Sequence, residues 1–352
     1  MDKSTLSNYG WIIICILVLS VMIALSSPFS RYIASAVWNT TGGINDVNNN
    51  ALDVIVNPNV ERPDDNLIIK DPLLNPTDVV INNGQYTYGD YMYTEILEDG
   101  NIVGWKVSRV AAVDLIEYGE ILESINRKPI KDIQALFYSC EQMIVSPKIP
   151  DSVENMMYAF DGCKALEKAP TLPKNVKNLY GAFQLCESLV DAPEIPSSAN
   201  DVRFMFLHCK SLKCAPVIPD TITDIYSTFS GCTNLVTYKG NPNPDGDLSE
   251  YLTGKSIVDM SFAFASCKSI VVAPNMPSTV KRASVAFSNC VGLLTSPSIS
   301  NEIENIDSIF DNCTSMTGSI TLPCHMTIVG FENCGATIVY NHTPSCGGTC
   351  GK

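Results

Sequence analysis

Cysteine is the residue best placed to do chemistry in this chain, with 14 among 352 residues against only three His. The densest group stands at the C-terminal end: Cys324, His325, Cys334, His342, Cys346 and Cys350. Zinc takes four tetrahedral thiolate or imidazole ligands, and this stretch holds enough of them. It has no Cys-x-x-Cys pair, however, and Cys346-Gly-Gly-Thr-Cys350 would equally close a small disulfide loop in an exported tail. Unpaired tail thiols are the third reading, and spacing alone leaves all three open. A second candidate is Asn241, Asn243, Asp245, Gly246 and Asp247, which follow the first seven positions of a calcium-binding loop. Its twelfth position requires a bidentate Glu and has Leu252, so a solvent loop able to carry partner contacts is expected instead. No Gly-x-Ser-x-Gly, phosphate loop or metalloprotease helix signature occurs. The chain is expected not to be an enzyme and to need no cofactor.

The other cysteines mark a period. Phe-x-x-Cys recurs nine times, at Phe137/Cys140, Phe160/Cys163, Phe183/Cys186, Phe206/Cys209, Phe229/Cys232, Phe264/Cys267, Phe287/Cys290, Phe310/Cys313 and Phe331/Cys334. Six of the eight steps are 23 residues; one is 35 and the last is 21. An apolar residue follows three places after nearly every Cys, as at Leu166, Leu189 and Leu212, and prolines follow at seven and ten places, as at Pro170 and Pro173. A 23-residue unit is too short to bury its own apolar face, so stacked units must share one core. The expected fold is a repeat solenoid in which Phe and Cys form the column. The prolines forbid a helix between them and restrict each coil to a short extended strand in a parallel sheet. The return segment through Ala-Phe to the Cys is expected to be a short helical or 3-10 turn. Periodic Cys on one face would be small buried hydrophobes, since parallel same-side sulfurs are poorly oriented for bridging.

This pattern resembles the BspA-like, 23-residue bacterial class of leucine-rich repeat. The resemblance covers about residues 136–334 and includes Ala159-Phe160, Ala182-Phe183, Ala263-Phe264 and Ala286-Phe287. The chain departs from that pattern by placing a Pro within the strand and by the long unit after Cys232. The resemblance implies a surface-exposed arc that binds macromolecules, often as an adhesin.

The positions five and eight residues after each Cys keep no single character, as solvent-facing columns would not. Lys148, Lys168, Thr171, Asp191, Glu194, Val217, Thr237, Asn275, Thr295 and Ser298 are therefore the candidate contacts for a protein or other macromolecular ligand. A net charge of −14 argues against nucleic acid as that ligand, because phosphate neutralisation needs a basic face. A hydrophobic content of 45% with 17% charged residues is the reverse of a disordered composition.

The elements before the array read differently. Trp11 to Leu25 is strongly apolar and uncharged, at the boundary between a spanning helix and a signal-peptide core. Residues 1–43 are expected to be an N-terminal hydrophobic helix, either a signal anchor or a cleaved signal peptide, which places the rest at the cell surface or outside. Residues 44–85 are an Asn/Pro-rich spacer. Residues 86–135 are expected to cap the array with a β-hairpin about Asp99-Gly100 and a helix over AAVDLIEYGEILESI. The array spans 136–335, and 336–352 form a Cys/Gly tail. Two functions follow: an envelope-tethered binding or adhesion protein, or a filament subunit assembled through a pilin-like N-terminal helix.

Overall fold

The computed structural model describes residues 80–82, 85–109, 115–242, 246–326 and 330–341. The N-terminal hydrophobic segment and most of the spacer lie outside the described residues. Among the described residues no helix is long and apolar enough to cross a membrane.

The cap is built on alternation. β1 (Val80–Asn82), β2 (Gln85–Tyr88), β3 (Tyr91–Glu98) and β4 (Asn101–Arg109) form an antiparallel meander. Asp99 and Gly100 turn between β3 and β4 with φ of 50° and 77°, the left-handed pair that a two-residue hairpin requires. Tyr91, Tyr93, Trp105 and Val107 point inward and are fully buried. β6 (Lys128–Asp132) then adds parallel to β4, and β5 (Ser124–Ile125) pairs antiparallel with β6, giving the order β1-β2-β3-β4-β6-β5.

The expected cap helix is absent among the described residues. From Leu115 to Glu123 the chain is irregular and runs into β5. Its backbone groups bond outward rather than to one another: Tyr91 donates to the Gly119 carbonyl at 2.7 Å, Gly119 N donates to Asp90 at 2.8 Å and Leu122 N to the Tyr93 hydroxyl at 3.0 Å. The helical spacing is misleading because Ile116, one of its marks, is 59% exposed, whereas Tyr118, Ile121, Leu122 and Ile125 are buried. Tyr91, Tyr93 and Asp90 thus take donors and acceptors that a helix would have paired within itself.

The array is a stack of coils with the Phe column at its centre. Phe137, Phe160, Phe183, Phe206, Phe229, Phe264, Phe287 and Phe310 are fully buried, with successive centroids 5.1 to 5.9 Å apart and planes within 23°. Phe331 ends the column, half-buried and tilted by 55°. The strand side is minimal. β7 (Cys214–Ala215) pairs parallel with β8 (Thr237–Tyr238), and several other coils meet only through isolated parallel bridges such as Lys168 to Asp191 and Val272 to Thr295. Proline lacks an N–H and so stops each ladder. The longest strand of the array confirms this cause. β9 (Ser319–Pro323) has Ile320 where most coils have their first Pro, and it pairs over five residues with β10 (Thr337–Asn341).

The return side is a series of turns; no helical or 3-10 segment occurs there among the described residues. N–H groups alternate between two partners. Ala135, Phe137 and Ser139 donate to carbonyls of the next coil, at Met157, Ala159 and Asp161, while Leu136, Tyr138 and Cys140 donate three residues back. This alternation needs left-handed residues two places before each Phe and one before each Cys. Tyr158 and Gly162, Phe204 and His208, and Val285 and Asn289 are such pairs, with φ between 54° and 79°. Helix formation would consume the inter-coil donors, so stacking selects turns.

The 35-residue unit also differs from expectation. Its extra residues fold back instead of standing wholly in solvent: Leu248 and Leu252 are fully buried, and Tyr251 packs edge-on to Phe229 and Phe264. The Tyr251 hydroxyl donates to the Pro216 carbonyl at 2.8 Å. Leu252, the missing calcium ligand, is thus a core residue.

Candidate functional site

The strand side carries the proposed contact columns. Lys148, Lys168, Thr171, Asp191, Glu194, Val217, Thr295 and Ser298 are exposed, and Thr237 and Asn275 are half-buried. Between these columns the side chains turn inward, as at Ala192, Ala215 and Ala273, so the backbone is held by the core while alternate positions vary freely.

The face divides by charge. Its first coils hold ion pairs, Lys148 with Glu123 at 2.6 Å and Lys239 with Glu194 at 3.7 Å, together with Lys168 and Asp191. After the insertion the columns hold Val272, Asn275, Thr295, Ser298 and Thr321. The exception is Asp247, whose carboxylate accepts from Ser249 N at 2.8 Å. A concavity of about 380 Å³ opens at this uncharged end. Among its walls, Asn301, Ser319 and Asn341 are not found from the sequence, because none of them falls on the two counted columns.

From Cys163 to Cys313 the cysteine column offers no reactive thiol. None of the nine ladder cysteines is disulfide-bonded, and eight of them are buried. From Cys163 to Cys313 each S–H donates to the Phe carbonyl of the preceding coil, at 3.0 to 3.2 Å. The same Phe carbonyl accepts the N–H of its own Cys; Phe160 O, for example, receives Cys163 N at 3.1 Å and Cys186 Sγ at 3.2 Å. Burial pushes these thiols well above their ordinary range, Cys313 to about 12, which leaves them protonated and inert at neutral pH. Cys140 is different: Arg109 donates to its sulfur at 2.9 Å and the Tyr118 hydroxyl lies 3.0 Å away, so the cap takes over where no earlier coil exists.

The C-terminal group is only partly described. Cys324 is disulfide-bonded, and a bonded sulfur has no thiolate to offer zinc. His325 is exposed with Nε2 3.1 Å from the Ile303 carbonyl, and Cys334 Sγ is 3.8 Å from Met316 Sδ. His342, Cys346 and Cys350 lie outside the described residues. Among the described residues no three metal-ligating side chains converge.

Two further features are not found from the sequence. Tyr158, Tyr180, Phe204, Tyr226 and Phe262 form a second, half-buried aromatic column at 5.1 to 5.5 Å spacing, with Arg203 over the Tyr180 ring at 5.3 Å. Its positions alternate between two and three residues before the Phe, so a fixed offset does not find it. Asp161 is buried on the return side, and desolvation raises its carboxyl from the ordinary range to about 7.

A family model described as the BspA type leucine-rich repeat region matches residues 125–243 and 253–342 in six copies. Among solved structures, a Treponema pallidum leucine-rich repeat protein is 24% identical, with a TM-score of 0.44 over 57% of this chain and 87% of that one. A leucine-rich repeat protein from Bacteroides ovatus is 18% identical, with a TM-score of 0.42 over 74% of this chain and 80% of that one. A leucine-rich cell surface protein from Faecalibacterium prausnitzii is 19% identical, with a TM-score of 0.35 over 76% and 97%. No curated protein matches.

Proposed function

This chain belongs to the BspA-type leucine-rich repeat family, and from that premise we propose that it is an exported, envelope-tethered protein that binds macromolecules, in adhesion, through its strand face. The observation that carries the reading is a row of variable, exposed side chains held at fixed spacing by a fully buried column. A solenoid needs that column for stability but does not need the outer residues to be polar, charged or varied. Tethering rests on the uncharged apolar segment from Trp11 to Leu25.

Two experiments test this. Purified residues 80–352, coupled to a resin, should retain a ligand from envelope or host-surface extracts. Lys168→Glu with Asp191→Lys should abolish its retention, while Lys210→Glu on the other side should not. Equal retention by all three proteins would overturn the strand-face assignment. In cells, the full chain should sediment with membranes and deletion of residues 1–43 should release a protein that still binds. Release together with loss of binding would favour the filament subunit, and a mature N-terminus near Ser27 in soluble protein would refute the anchor.

A further inference from the structure

We propose that the uncharged end of the strand face binds a neutral carbohydrate chain, with the concavity beside β9 and β10 seating a disaccharide-sized unit. The inference rests on the strand face being the binding face and adds the class of one ligand. The concavity measures about 380 Å³, within the range of roughly 300–1,000 Å³ typical of small-ligand sites. Among the described residues, none that lines it is charged, in a chain whose net charge is −14. Its polar side chains are hydroxyls and carboxamides: Ser296, Ser298, Asn301, Ser319, Thr321 and Asn341. Each such group both donates and accepts, which matches the hydroxyls of a sugar, where every hydroxyl does the same. Ile299 and Pro297 add an apolar floor that suits the C–H face of a pyranose ring.

The neighbouring chemistry disfavours other ligands. Among the described lining residues an anionic chain would find no Lys or Arg, and a cationic one no carboxylate. Protein partners are anchored mainly by Trp, Tyr and Arg, none of which lines this wall. Ser298 and Thr321 occupy the same outward column in successive coils, so a chain lying along the stack meets two hydroxyls one coil, about 4.8 Å, apart. Ser298 already shows the pairing that a sugar would extend: its N and Oγ lie 3.5 and 3.3 Å from Asn275 Oδ1.

The test uses residues 1–352 in detergent and calorimetric titration with neutral hexasaccharides of glucose, mannose and xylose. A hyaluronan hexasaccharide and an uncharged Ser/Thr/Asn-rich peptide serve as alternatives. Saturable binding of at least one neutral sugar is expected, with at least a tenfold loss in Asn301→Ala and Asn341→Ala and complete loss in Thr321→Glu. Lys210→Glu, outside both contact columns, should leave it unchanged. Unchanged thermal midpoints in the two alanine variants show that any loss is local. Binding of none of the neutral sugars, tighter binding of the peptide or hyaluronan, or sugar binding indifferent to these variants would overturn the proposal. If sugars fail while Lys168→Glu with Asp191→Lys still abolishes macromolecule capture, the broader strand-face reading stands and only the carbohydrate assignment falls.

Discussion

The two long sides of the array solve the same stacking problem with opposite means. On the return side nearly every backbone group is committed: N–H donors alternate between neighbouring coils and their own turn, and Phe carbonyls accept twice. On the strand side prolines withdraw donors, and several coils meet through isolated bridges alone. The difference separates stability from variability. A side that carries its stability in backbone bonds and a buried column must repeat its residues, so Phe, Cys and left-handed turns recur. A side relieved of that duty can change its outer residues from coil to coil without loss, which is the condition for recognition.

The contrast is broken most severely at the column. Phe206→Ala removes a ring stacked on both Phe183 and Phe229. Its loss should cost about 3–5 kcal/mol by deletion of buried surface and creation of a cavity. Phe331→Ala, at the half-buried end, should cost less than half as much. Urea unfolding followed by tyrosine fluorescence or circular dichroism would measure both; equal losses would mean that the column is not cooperative.

Next in size is Asp161, a carboxyl of the return side that burial raises to about 7. Between the ordinary carboxyl range and that value the folded protein keeps a proton that the unfolded chain has released. Stability is therefore full at low pH and falls as pH rises toward 7 and through it. The total loss should be about 2–4 kcal/mol, since each tenfold difference in proton affinity between the folded and unfolded chains is worth about 1.36 kcal/mol. Asp161→Asn should remove this slope and be the more stable protein at pH 8. Unfolding midpoints from pH 5 to pH 8 would decide, and parallel slopes for the two proteins would refute the assignment.

The sequence makes the array legible because its cause is periodic: Phe, Cys and Pro recur at offsets that burial and missing donors require. The outward-facing columns are legible for the complementary reason, since exposed positions lose their common character. What escapes has no fixed offset or is set by distant residues. The second aromatic column shifts between two places, so Tyr180 and Phe204 look unrelated in a 23-residue frame. The cap segment has helical spacing, but Tyr91 and Tyr93, nearly thirty residues earlier, decide its conformation. The turns of the return side cannot be distinguished from short helical turns because the choice depends on N–H bonds to the next coil. The left-handed positions accept Tyr158, Leu185, Phe204 and Val285 as well as glycine, so composition carries no signal. Tyr251 is hidden inside an apparent loop and becomes visible only where it packs against Phe264.

A smaller effect sharpens the role of the thiols. Cys209→Ala removes an S–H bond of 3.0 Å to the Phe183 carbonyl and a little buried volume. It should cost about 1–2 kcal/mol, near the net worth of one buried hydrogen bond plus a small void. The strand side supplies the matching control. Thr295 is exposed, and its contribution to the ladder is through its backbone bridge to Val272, which a side-chain change leaves in place. Thr295→Ala should therefore shift stability by no more than about 0.5 kcal/mol, the ordinary range for a surface substitution. Comparing these two variants by urea unfolding tests the division of labour at its finest grain. Their difference should be positive and near one hydrogen bond. A Thr295→Ala cost as large as that of Cys209→Ala would mean that the outer columns also carry stability, and the freedom of the strand face to vary would lose its physical basis.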